Sequence, residues 1–207
     1  MEVTLQKIST IWGEFDFSAQ NHFEEQIISD KDFQQGFFFG KPRRGHPEGH
    51  VIKHIDEVLA NVEKMYPYVS SQDYARLRLI TLIHDTFKYK VDAPLPYMKA
   101  NNTYTKFSDH GWLARVFASK YLSDEGVLLV TEFHDEAYFA WREGGWHNNW
   151  EKADERLTKL VQKMQNHLQL YYLFFKCDTS TGDKDPAPVL WFEEKLKEKI
   201  NIVSITN

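Results

Sequence analysis

Apolar residues recur at helical rather than alternating spacing along most of this chain. Val51, Ile55, Val58, Val62 and Met65 lie three or four apart, the stripe of an amphipathic helix over about 50–65. From about Ser71 to Lys90, Leu79, Leu82, Ile83 and Thr86 line one side, and Leu77, Ile80, His84 and Phe87 the other. Apolar residues on both sides predict a helix buried nearly all round. Ser108 is a candidate N-cap for a third helix running to about Tyr121. Ser123-Asp124-Glu125-Gly126 reads as the cap of a fourth, reaching Trp141 before Gly144-Gly145 breaks the chain. The longest helix is predicted from about Trp150 to Lys176, on a stripe of Leu157, Leu160, Val161, Met164, Leu168, Tyr171 and Phe175. Asp178 continues that stripe. Pro186 and Pro188 then precede a last helix over about 189–199.

Between these segments the pattern weakens. In the aromatic-rich stretch 1–40 only Ser18 to Phe33 suggests a helix, ahead of the Gly36–Gly40 break. Pro42 to Gly49 is a basic, Gly/Pro-punctuated loop. Val91 to Lys106, with Pro94, Pro96 and Asn101-Asn102, is expected to form a loop or lid over a site mouth. There is no internal repeat. The expected fold is therefore all-α, in three parts: an N-terminal extension (1–40) that packs on the core or mediates a homodimer, a helical domain (41–185), and a C-terminal helix and tail (186–207).

Composition narrows the class. The 207 residues are 42% hydrophobic and 15% aromatic, enough for one substantial core. A formal charge of −5 argues against a general nucleic-acid-binding surface. The single Cys177 permits no internal disulfide and suits a reducing compartment. No secretory leader is visible, and no apolar run approaches membrane-spanning length. A soluble, cytoplasmic protein without membrane or disulfide partners is expected.

Six residues stand out as ligands for a metal site: His54, His84, Asp85, His110, His134 and Asp178. Imidazole nitrogens and carboxylate oxygens suit Mn, Fe, Co, Ni, Zn or Mg. His84-Asp85 ends an apolar run, where an unpaired charge costs several kcal/mol and a divalent cation is a natural partner. Neighbouring residues splay by about 100° on a helix, so the pair reaches one ion only if it sits between their directions. Competing structural readings exist: His54 as a backbone-bonded core histidine, His50 as a rival ligand, Asp178 as a turn cap, and His134-Asp135 as an exposed acidic face. Lys88, one turn past His84, is a candidate for phosphate, as are Arg43 and Arg44 in the basic loop beside Lys41. His22, His147 and His167 have no partner at ligand spacing. P-loop, Gly-x-Ser-x-Gly and Cys-x-x-Cys motifs are absent.

The order His…His-Asp…His…His…Asp over roughly residues 43–180 resembles the HD superfamily of metal-dependent phosphohydrolases. His84-Asp85-Thr86-Phe87-Lys88 is similar to its His-Asp-x-x-Lys signature. His46-Pro47-Glu48-Gly49, ahead of His54, is similar to the start of the HD domain in some bacterial tRNA nucleotidyltransferases. The resemblance implies an HD-type helical bundle that binds one or two divalent metal ions. His54, His84, Asp85 and Asp178 would hold one ion; His110 and His134 would hold a second, with Asp85 bridging. The implied activity is hydrolysis of a phosphomonoester or phosphodiester in a small phosphate ester or nucleotide. Asp85, Lys88 and Arg44 are the expected catalytic residues, with Lys88, Arg43 and Arg44 binding substrate and Glu48 or Asp109 a candidate general base. A di-iron oxygenase, as in inositol oxygenase, and a non-catalytic nucleotide-binding regulatory module are the alternatives.

Overall fold

The amphipathic stripe around Val58 becomes α3 (Val51–Met65), with Ile55, Val58, Val62 and Met65 fully buried. It packs on α4 (Ser71–Ile83), whose N-cap Ser70 accepts from the Asp73 N–H. The structure, a computed structural model, describes residues 4–10, 13–91 and 109–204, with side chains from Phe17 onward. It is all-α apart from one N-terminal hairpin, in which β1 (Thr4–Thr10) and β2 (Gly13–Ala19) pair antiparallel, Thr4 opposite Ala19. α1 (His22–Ser29) and the short α2 (Lys31–Gln34) follow. α5 (Lys88–Val91) closes the first half. The second half holds α6 (His110–Ala118), α7 (Glu125–Phe133), α8 (Glu136–Gly145), α9 (Trp150–Met164), α10 (Leu168–Thr179) and α11 (Ala187–Leu196).

Helix α10 is the axis of the core. It touches α3, α4 and α7, and every residue from Leu170 to Phe175 is buried. Phe192 of α11 packs against Tyr171, Tyr172 and Phe175 on its outer side. The hairpin and α1 are tied down by a buried ion pair. Arg78 of α4 donates through Nε and Nη2 to both oxygens of Glu24, through Nη1 to Glu63, and also to the Ser18 carbonyl. Burying such a charge is tolerable because the fork is fully paired.

Six features differ from the sequence expectation. Ser18 and Ala19 belong to β2, and Asp30 splits the remaining Ser18–Phe33 segment in two. The extended Asp30 backbone ends α1, and its carboxylate accepts from Asp32 N and Phe33 N to start α2. The second core helix stops at Ile83 instead of Lys90. Its last bonds tighten to i→i−3 at Thr86 N to Ile83 O and Lys88 N to Asp85 O. The expected 123–141 helix breaks at His134-Asp135. There the buried Tyr171 hydroxyl lies 3.1 Å from both the Phe133 and His134 carbonyls and accepts from the Ala137 N–H. A side chain inserted into the backbone ladder is a recognised cause of such a break. The expected Trp150–Lys176 helix divides at Gln165, where φ is +44°. The last helix starts at Ala187, two residues early, since Pro188 in a first turn forfeits no hydrogen bond. Asp109, not Ser108, caps α6, accepting from Gly111 N. The Val91–Lys106 loop lies, beyond Val91, outside the described residues, as does Ser108. Among the described residues no helix is long and apolar enough to cross a membrane.

Candidate metal centre

Five helix ends meet at one end of the bundle. His54 projects from the first turn of α3 and His110 opens α6; His84 and His134 follow the last residues of α4 and α7; Asp178 lies in the last turn of α10. Gly111 makes the α6–α7 approach possible. A Cβ on it would sit 2.4 Å from the Glu132 carbonyl oxygen, so no larger residue lets His110 come so near His134.

All six expected ligands come together, around the carboxylate of Asp85. On one side, His54 Nε2 lies 3.4 Å from His84 Nε2, 3.7 Å from Asp85 Oδ2 and 2.9 Å from Asp178 Oδ1. His84 Nε2 is 3.6 Å from Asp85 Oδ2 and 3.9 Å from Asp178 Oδ1. On the other side, His110 Nε2 and His134 Nε2 are 3.2 Å apart, at 3.4 and 3.3 Å from Asp85 Oδ1. Donors on a tetrahedral ion with bonds of about 2.0–2.1 Å stand about 3.3–3.4 Å from each other, an edge that the His110–His134 side matches and that the wider spread on the His54 side brackets. Asp85 Oδ1 is buried without a hydrogen bond of regular geometry, and the donors nearest to it are the His110 and His134 Nε2 atoms at 3.4 and 3.3 Å.

The histidine tautomers are set from behind. The Nδ1–H of His84 donates to the Thr81 carbonyl and that of His134 to the Thr131 carbonyl, each at 2.9 Å, which turns both Nε2 atoms toward Asp85. His54 is backed by Glu48, whose Oε1 is 3.4 Å from His54 Nδ1 and accepts a 2.9 Å bond from His46 Nδ1. Phe174 forms an apolar floor, 5.1 Å from the His84 ring and 6.3 Å from that of His134.

Titration follows from burial and these neighbours. Complete burial pushes His84 down to about 3. Burial also opposes charge on His134, but Asp135 and Asp85 outweigh it and raise that imidazole to about 9. Burial works against ionisation of Asp85 and Asp178 too. Lys88 and His84 nevertheless hold Asp85 well below the usual carboxylate range, and Lys184 and His54 do the same for Asp178. The carboxylates are thus charged and matched by nearby cations, the charge that a divalent ion would also supply.

The remaining expected residues divide. Lys88 Nζ donates to Asp85 Oδ2 at the rim. Arg43 lines a cavity of about 580 Å³ that opens onto His54, Asp85 and Lys88, with Phe38, Phe39, Lys41 and His50 also in its wall. Arg44 does not reach this cavity. It occupies the exposed tip of a tight turn closed by paired Arg43–His46 backbone bonds, with Gly45 at φ +80°. His50 packs edge-on against Phe38 in the wall of that cavity. Glu48 sits behind His54, held down to about 2 as His54 and His46 outweigh its burial, which makes it a poor base. Asp109 is engaged as the α6 cap. His22 and His147 are exposed and His167 is half-buried.

Two site residues escaped the sequence reading. Lys184 donates to Asp178 Oδ1 at 2.9 Å from the loop after α10; no local pattern marks it. Asp135 places Oδ2 3.5 Å from His110 Nε2 and 3.6 Å from His134 Nε2. Its signal was the recurrence of Thr-x-x-His-Asp at 81–85 and 131–135. No protein-family model, curated protein or solved structure matches this chain.

Proposed function

We propose that this protein is a metal-dependent phosphohydrolase of the HD type, acting on a small phosphate ester or nucleotide through two divalent ions bridged by Asp85. The observation that carries the reading is the Asp85 carboxylate, with Oδ2 facing His54 and His84 and Oδ1 facing His110 and His134. Divalent ions lower the pKa of coordinated water and offset charge developing on phosphoryl oxygens. His54, His84 and Asp178 would hold the first ion, and His110 and His134 the second. Lys88, at the rim beside Asp85, would bind a non-reacting phosphate oxygen, and Arg43 would grip it from the cavity wall. Phe38 and Phe39 give that wall an apolar face for the remainder of the ester.

The test is elemental analysis of the purified protein, then a phosphatase screen with Mn, Mg, Co, Zn, Ni and Fe. Hydrolysis supported by a redox-silent metal, and abolished with metal binding in both His84→Ala and Asp85→Ala, is expected. Bound iron with an O₂-dependent product would identify an oxygenase instead. Nucleotide-induced stabilisation without turnover at full metal load would identify a regulatory module.

A further inference from the structure

Asp135 behaves unlike the other aspartates at helix starts in this chain. Asp30, Asp109 and Asp124 each accept from a backbone N–H of the helix they precede. Asp135 precedes α8 and makes no such bond; its backbone is helical, and its carboxylate turns back toward the histidines. A side chain that forgoes a cap worth about 1 kcal/mol needs another partner.

We propose that Asp135 is a ligand of the second metal ion, so that each ion takes two imidazole nitrogens, one terminal aspartate and one oxygen of the shared Asp85. The inference rests on the two-ion reading above and adds a residue to it. His110 Nε2 and His134 Nε2 stand 3.2 Å apart, and lie 3.4 and 3.3 Å from Asp85 Oδ1 on one side and 3.5 and 3.6 Å from Asp135 Oδ2 on the other. All five separations lie within about 0.3 Å of the tetrahedral edge set by metal–ligand bonds of about 2.0–2.1 Å. The first half-site is looser, its five separations spreading from 2.9 to 3.9 Å.

Each half-site contains one copy of the same local device. In Thr81–Asp85 and Thr131–Asp135 the threonine carbonyl fixes the histidine three residues on, at the end of a helix, and the aspartate follows on the turn. Charge gives a further reason. Without Asp135 the second ion would meet two neutral imidazoles and half of one carboxylate. With it, both ions have matched donors. The Asp135 side chain is 31% exposed against 14% for Asp178, so it is free to turn onto an ion without a buried partner of its own.

The experiment uses the full chain, stripped with a chelator and titrated with Mn(II). Bound metal is counted by equilibrium dialysis, and coupling between ions is followed by electron paramagnetic resonance. Wild type should take two ions with a spin-coupled signal. Asp135→Ala should keep one tight ion, bind the second at least about tenfold more weakly, and show an isolated Mn(II) spectrum. Asp135→Asn, close in volume, should fall between them, and circular dichroism of the stripped proteins checks that both variants fold. Two coupled ions at wild-type affinity in Asp135→Ala would overturn the assignment while leaving the two-ion reading intact. A wild type that takes one ion would overturn both. Absence of hydrolysis in a wild type that binds two ions would count against the phosphohydrolase reading alone.

Discussion

Replacing Gly111 with alanine tests whether the second half-site depends on the close approach of α6 to α7. The added Cβ would lie 2.4 Å from Glu132 O, 3.1 Å from the Glu132 carbonyl carbon and 3.2 Å from Thr131 O. The obstacle is backbone, so no side chain can swing aside. Ordinary contact begins at 3.4 Å, and the start of α6 must retreat by about 1 Å. Overpacking of this kind costs about 1–3 kcal/mol. Alanine recovers about 0.5–1 kcal/mol of that through its lower backbone entropy in a helix. The net loss is at most about 2.5 kcal/mol, a fall in Tm of up to about 10 °C for a chain of this size. The functional effect should be larger. His110 and His134, now 3.2 Å apart at their Nε2 atoms, would separate beyond the edge of about 3.4 Å that one ion spans. Under the two-ion proposal the first ion would be held by His54, His84, Asp85 and Asp178, none of which the added Cβ touches, and it should remain. Elemental analysis should therefore fall from two ions to one, and a misplacement of about 1 Å should slow turnover by about a hundredfold. Unchanged melting together with two ions at wild-type affinity would refute the packing argument.

Glu48→Gln keeps the shape behind His54 but removes the charge that orients it. Metal affinity at the first ion should drop by about 10–100-fold, measured by competition with a chelating dye; an unchanged affinity would make Glu48 merely a loop anchor for His46. Tyr171→Phe removes the hydroxyl between α7 and α8 and leaves the buried Ala137 N–H unpaired. Urea denaturation should show a loss of about 1–3 kcal/mol, and no loss would mean that the break at His134 is set locally.

Residue pattern alone placed α3 almost to its ends, and marked His54 and His84-Asp85 as out of place among apolar neighbours. It could do so because burial spacing and the cost of an unpartnered charge are local properties. The same periodicity misplaced the helix ends at His84, His134 and Gln165. Apolar spacing runs on through each break, since Phe87, Ala137 and Leu168 stay buried on the far side. At His134 what stops the helix is tertiary, the hydroxyl of Tyr171, 34 residues from the Ala137 N–H from which it accepts. Those breaks, in turn, decide the site. A continuous helix would carry Asp85 and Asp135 around the axis. The turns instead present both carboxylates beside their preceding histidines. Likewise Lys184 reaches Asp178, and Arg43 rather than Arg44 reaches the cavity, because one loop folds back after α10 and another turns at Gly45. Ligand type could be read from residue identity. Which oxygen faces which histidine depends on five helix ends meeting, and that is settled only when the core packs.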